Sequence, residues 1–216
     1  MNLYFISGLG ADKRMFQKLV LPDGFTIRYI DYLPVLKNES LESYSRRLSE
    51  QIDLNQPFSL VGLSFGGVIS VEMSKFLSPV QTVLISSFYL RKEVPWFYVF
   101  LSQTGLYKLL PEKIMLKRSR FIFRLFGAYN PEAKNLLEHI LQDTDPVFFR
   151  WALMQLFSWD NNWKPENLLR IHGTKDRVLP FKSNMNAMPV EGGEHLMIYS
   201  KWDIISELLA ENLELA

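Results

Sequence analysis

Two hydrophobic rhythms divide this chain. Short apolar, β-prone runs stand at Leu3–Ile6, Phe25–Ile30, Phe58–Val61, Gln81–Ile85, Leu168–Ile171 and Met185–Val190. Runs of that length, closed by turn-forming residues, read as buried strands. Between them lie helical patterns. Asp12 can cap a helix to about Leu19, and Ser40 opens an amphipathic helix to about Ile52 with Leu41, Tyr44, Leu48 and Ile52 on one face. An apolar run from about Gly67 to Lys75 reads as a buried helix, and an amphipathic one closes the chain near Leu213. Strands alternating with helices predict an α/β fold: a mostly parallel sheet with right-handed crossovers and helices on both faces.

From Phe88 to about Asn167 the rhythm changes and no strand pattern occurs. Pro95, Pro111, Pro131 and Pro146 each precede a helical run, as proline does at a first helical position. Gly105 and Gly127 stand where helices would end, and Asn130 and Asp145 sit as N-caps before their prolines. This predicts about four helices, residues 88–167, inserted into one domain spanning 1–216. The run Val147–Phe157 is apolar around most of its circumference, so part of it is expected to face an apolar cavity. Trp96, Phe149 and Trp151 are the aromatic candidates for the wall of a substrate pocket. Arg91, Lys92, Lys108, Lys113, Lys117, Arg118, Arg120 and Arg124 make the segment locally basic. A solvated positive face accounts for them; attraction of an anionic substrate or leaving group is the sharper alternative.

Composition narrows the classes. A chain of 216 residues is most simply one domain, burying roughly 70% of its unfolded surface. The net charge of +1 gives no basis for attraction to nucleic acid or an anionic membrane. A hydrophobic content of 48% argues against disorder. With no cysteine there is neither a disulfide nor a thiolate metal site, and the three histidines lack ligand spacing. No metal and no cofactor are therefore expected. The start MNLYFISGLG reads as a strand rather than a basic leader, and the most apolar run, Val94–Leu101, is too short to span a bilayer. The expectation is a soluble cytoplasmic protein with a small-molecule partner and neither nucleic acid nor membrane.

The candidate chemistry centres on Phe58–Ile69, FSLVGLSFGGVI. Gly-x-Ser-x-Gly stands here between a strand and a helix, the context in which the pattern acquires meaning. A serine thrust out of such a turn needs neighbours without side chains two positions before and after it, and Gly62 and Gly66 supply them. A helix beginning at Phe65 points free N–H groups and its positive end at the surroundings of Ser64. A serine hydroxyl needs a base, and that base an orienting acid. Of the histidines, His139 lies among the inserted helices and His172 at a strand end before a glycine; His195 follows the last strand. Asp176, in the loop after Leu168–Ile171, is the best-placed acid. Asp143, Asp145 and Asp160 belong to the insertion, and Glu194 is too close in sequence to His195 to orient its far ring nitrogen.

Taken together, GLSFGG, HGTKDRVLP and GGEH, in that order, resemble the α/β-hydrolase superfamily over essentially the whole chain. The resemblance implies Ser64 as nucleophile, Asp176 as orienting acid and His195 as general base. It implies an oxyanion hole built from the backbone N–H groups of Leu9 and Phe65, with Ser7-Gly8-Leu9 where the family usually has His-Gly-x. It makes residues 88–167 a lid, with the expectation that the two leading antiparallel strands usual in the family are absent. The expected activity is cleavage of an ester or related acyl bond of a small, largely apolar substrate through an acyl-enzyme. Action on a coenzyme A thioester, by hydrolysis or acyl transfer, is one alternative, and a non-catalytic binding protein on the same fold is another. A dinucleotide-binding enzyme is a third, suggested by Gly8-Leu9-Gly10 and Asp31, but Lys13 occupies the fingerprint's last glycine position.

Overall fold

In a computed structural model, which describes residues 1–105 and 119–215, the apolar runs become six strands. These are β1 (Asn2–Ile6), β2 (Thr26–Ile30), β3 (Phe58–Leu63), β4 (Thr82–Ile85), β5 (Leu168–Gly173) and β6 (Met188–Val190). All neighbouring pairs are parallel, in the order β2-β1-β3-β4-β5-β6. The chain leaves β1 toward one edge and returns to its other side with β3. That reversal opens a crevice at the carboxyl ends of β1 and β3, where open α/β sheets bind their ligands.

Eight helices are described: α1 (Leu41–Ser49), α2 (Phe65–Ser74), α3 (Trp96–Thr104), α4 (Arg120–Phe126), α5 (Pro131–Asp143), α6 (Pro146–Ser158), α7 (Met197–Ser200) and α8 (Trp202–Asn212). The period-2 alternation of the strands feeds two cores. Leu3, Phe5, Val61, Leu63, Val83 and Ile85 join Met15, Phe16 and residues of α5, α7 and α8 on one face. Tyr4, Ile6, Leu60 and Leu84 join α1, α2 and part of α6 on the other. Every residue of β3 and of α2 is buried, which explains why neither carries a polar stripe. Among the described residues no helix is long and apolar enough to cross a membrane.

Between β4 and β5 the regular structure of the described residues is helical, and its punctuation behaves as the prolines and glycines predict. Pro131 and Pro146 open α5 and α6, and the N–H groups of Ala133 and Val147 donate to the side chains of Asn130 and Asp145. Gly105 and Gly127 close α3 and α4 in the left-handed conformation, at φ 66° and 79°. The start predicted at Pro111 lies outside the described residues, as do Lys108, Lys113, Lys117 and Arg118.

Three expectations change. The helix predicted from Asp12 to Leu19 is a single 3₁₀ turn, Lys13–Phe16, because Asp12 binds both the N–H and the guanidinium of Arg14 while the adjacent Met15 and Phe16 both enter the core. The last strand is shorter than Met185–Val190. Ala187 turns back onto the carbonyl of Met185, and Pro189 is tolerated because β6 is an edge. The closing helix is broken at Lys201 into α7 and α8.

Candidate functional site

The turn between β3 and α2 is tightly constrained. Ser64 takes φ 52°, ψ −117°, a conformation that costs a non-glycine residue about 1–3 kcal/mol. Its surroundings hold it there. The Ser64 N–H donates to the carbonyl of Ile85 at 2.9 Å, and its carbonyl accepts from the Ser87 hydroxyl at 2.7 Å. A Cβ on Gly62 would strike Gly67, and one on Gly66 would strike the carbonyls of Ile6 and Ser7. Gly67 is a third required glycine that the motif did not flag, since a Cβ there would fall on the Ser87 side chain. The turn thus wedges between the ends of β1 and β4.

Asp176 and His195 come from the loops after β5 and β6, which are stitched to each other. Thr174 N–H donates to Val190 O, Lys175 N–H to Gly193 O at 2.8 Å, and Gly192 N–H to the Thr174 hydroxyl. His195, only 3% exposed, bridges the two other residues: Nδ1 lies 2.8 Å from Asp176 Oδ2, and Nε2 lies 2.9 Å from Ser64 Oγ. A carboxylate partner holds the ring hydrogen on Nδ1, leaving Nε2 free to accept the Ser64 proton. Asp176 Oδ1 accepts the N–H groups of Val178 and Leu179 at 2.9 and 2.8 Å. Burial alone would raise its pKa; the charge and hydrogen bond of His195, the Leu179 N–H and nearby His172 outweigh that and hold it below the usual value.

His172 is a part of the site that the sequence left as a strand-end residue. Its Nε2 is 2.7 Å from Leu179 O, an atom that can only accept, so the hydrogen sits on Nε2. Burial pushes its pKa down, and the neutral ring braces the loop whose N–H groups hold Asp176. The only advance signal was its place at the carboxyl end of a central strand.

The first loop is braced without a histidine. The Ser7 hydroxyl donates to Ala11 O at 2.6 Å, and the Tyr32 hydroxyl donates to Ser7 O at 2.5 Å. Gly8 brings this loop against the elbow: a Cβ there would lie 3.4 Å from Ser64 Cβ. Among the described residues, neither the N–H of Leu9 nor that of Phe65 has a hydrogen-bond partner. Two backbone donors beside Ser64 are therefore available to an incoming oxygen.

Above Ser64 and His195 lies a cavity of about 760 Å³, within the range for small-molecule sites. Phe97 and Leu101 of α3, Phe121 and Leu125 of α4, and Phe149, Leu153 and Leu156 of α6 line it. The spacing 149, 153, 156 is one face of α6, as its all-round apolar character predicts. Of the three aromatic residues expected in a pocket wall, Phe149 lies there; the other two do not. Trp96, next to Phe97 and rotated about 100° from it around α3, is 78% exposed and lies outside the lining. Trp151 points to the other side of α6, donating to Glu39 O and packing on Tyr44 and Phe65. The basic residues also separate. Arg91 is spent on the carbonyl of Phe157, whereas Lys92, Arg120 and Arg124 face solvent. Among the described residues Arg177 is the one guanidinium in the cavity lining, and it is engaged by Glu194. The dinucleotide alternative loses its support, because a single 3₁₀ turn after Gly8-Leu9-Gly10 offers no helix N-terminus to a pyrophosphate.

No protein-family model matches this chain, and no curated protein matches it in sequence. Solved structures do match. MenH from S. aureus is 14% identical with a TM-score of 0.74, the match covering 99% of this chain and 93% of that one. A thermophilic esterase from Thermogutta terrifontis is 14% identical with a TM-score of 0.70, covering 98% and 88%. The enol-lactonase from Burkholderia xenovorans is 16% identical with a TM-score of 0.70, covering 97% and 90%. At such identities the likeness is one of fold.

Proposed function

We propose, with the α/β-hydrolase fold of this chain as premise, that it is a serine hydrolase cleaving an ester or related acyl bond of a small, largely apolar substrate. One observation carries the reading: an imidazole whose two nitrogens meet a buried carboxylate on one side and a hydroxyl on a strained elbow on the other. In this reading His195 Nε2 takes the proton of Ser64 as Oγ attacks the acyl carbon, and the N–H groups of Leu9 and Phe65 bind the oxyanion. The imidazolium, stabilised by Asp176, then protonates the leaving oxygen. Water enters by the same route, giving up a proton to His195 and releasing the acid and free Ser64. Each oxyanion donor is typically worth about 10²–10³ in rate. The helices of residues 88–167 serve as a lid, and the apolar cavity beneath them supports an uncharged acyl chain as its occupant.

The test is a screen of p-nitrophenyl esters and acyl thioesters of increasing chain length, beside labelling by a fluorophosphonate probe. The reading expects ester turnover by the wild type, a single adduct on Ser64, and loss of both in Ser64→Ala. Unchanged turnover in Ser64→Ala overturns it. A preference for coenzyme A thioesters over oxygen esters would move the substrate class without moving the mechanism.

A further inference from the structure

Arg177 and Glu194 each stand one residue from a member of the Ser64-His195-Asp176 chain, yet both side chains turn away from it. Arg177 Nη1 donates to Glu194 Oε1 at 2.5 Å, to the Tyr129 hydroxyl at 2.6 Å and to the carbonyl of Arg124 at 3.3 Å. The Tyr129 hydroxyl donates in turn to Glu194 Oε1 at 2.9 Å. The Glu194 side chain is buried, and its Oε2 has no partner among the described residues. It occupies the space above Gly127, where any Cβ would collide with it. Two further contacts run alongside: Leu196 N–H donates to Phe126 O at 3.1 Å, and the Phe126 ring stands edge-on to the His195 imidazole at 5.4 Å.

These contacts join three segments far apart in sequence, namely the carboxyl end of α4, the Asp176 loop and the His195 loop. Helix α4 has need of them. It contains no fully buried residue: Phe121, Ile122, Leu125 and Phe126 line the cavity, and only Ile122, Phe123 and Phe126 reach the margin of the core, where they stay partly buried. Apolar packing from below seats such a helix only along its margin, because the rest of its underside faces the cavity. A half-satisfied buried carboxylate is in itself a weak source of stability, since desolvation offsets much of its attraction to a cation. Its distinctive property is direction: it fixes where the end of α4 sits relative to His195.

We propose that Arg177, Glu194 and Tyr129 form a clasp that seats α4 over the cavity and, through Phe126, sets the His195 imidazole, making Arg177 and Glu194 positioning residues. The proposal rests on the serine-hydrolase reading for its kinetic consequences, but not for its structural ones.

The experiment therefore has two arms. Hydrogen exchange by mass spectrometry on the unliganded protein compares wild type with Glu194→Gln, Arg177→Met and the double variant. Amides of α4 are expected to exchange about tenfold faster or more in each variant, with those of β3 and α2 unchanged. Ester kinetics form the second arm. The KM for long-chain esters is expected to rise about tenfold while that for short esters stays level, because only long chains touch the α4 wall. The double variant should be no worse than either single one, as coupled partners behave, and Arg177→Lys should recover part of the loss. Unchanged α4 exchange in all three variants, or kinetic losses that multiply in the double variant and ignore chain length, overturns the clasp. An inactive wild type whose α4 still loosens in the variants would sink the hydrolase reading and leave the clasp standing. If Arg177→Met fails to fold, Tyr129→Phe and Arg177→Lys carry both arms.

Discussion

The sheet half of this molecule and the helices α3 and α4 contain comparably apolar stretches and use them in opposite ways. In α2, FGGVISVEMS, every residue is buried. In α3, WFYVFLSQT, and α4, RFIFRLF, none is. Hydrophobicity drives all three out of water, but the first meets a sheet, whereas the others are only partly buried and border a cavity of about 760 Å³. A segment that is apolar and yet holds no fully buried residue forms a cavity wall. The sheet half supplies the edge on which Asp176, His195 and Ser64 stand within hydrogen-bond distance, and the helical half supplies volume and apolar character. On that division, substitutions at the carboxyl edge of the sheet should abolish chemistry, while those in the helices should change which molecules undergo it.

The largest expected effects are therefore at the sheet edge. Ser64→Ala and His195→Ala should each lower kcat on short esters by about 10⁴-fold or more, with melting temperature nearly unchanged. Asp176→Asn should cost about 10³–10⁴-fold, since the amide no longer supports the tautomer that leaves Nε2 open. Full turnover in any of the three breaks the comparison at its base. Next comes a matched pair on stability. Leu60→Ala in β3, where the side chain is fully buried, should cost about 2–5 kcal/mol in denaturant unfolding. Leu153→Ala on the cavity face of α6 should cost markedly less, because it enlarges a space that already exists, and should shift the preferred acyl chain upward in length. If the two substitutions cost the same and chain preference does not move, the helices are ordinary core.

The same contrast separates what could be read from residues alone. The elbow was legible because its constraints are local: a strand, a serine forced to positive φ and glycines at fixed offsets all lie within a few positions. Asp176 and His195 were legible by order along a parallel sheet, whose strand ends necessarily share one rim. The cavity wall was not. Trp96, Phe97, Phe149 and Trp151 are alike in hydrophobicity, and whether each faces cavity, solvent or core depends on the rotation of its helix about its axis. That rotation is set by partners distant in sequence, such as Glu39 for Trp151 and Val178 for Tyr98, the neighbour of Phe97. His172 and the Arg177–Glu194 pair escaped for the same reason. Their partners are a carbonyl and side chains that only the assembled loops bring near.

The smallest expected effect concerns pH and again divides edge from helices. His172 sits at the end of β5, with its pKa pushed down by burial, by the nearby charge of Arg170 and by His195, against the opposing pull of Asp176 and its bond to Leu179 O. Unfolding restores an ordinary imidazole of pKa ~6.5. As pH falls below that value the unfolded chain binds a proton that the folded chain refuses, so stability drops on acidification and is fully present above it. Asp176, held below its ordinary pKa, adds a second decline of the same sign below about pH 4. Melting temperature measured from pH 8 to pH 5 should thus fall in the wild type and fall less in His172→Gln, whose amide can still donate to Leu179 O. Identical slopes in the two proteins would mean that the loop under Asp176 is braced by its backbone hydrogen bonds alone, and that the edge of the sheet owes its rigidity to less than we infer.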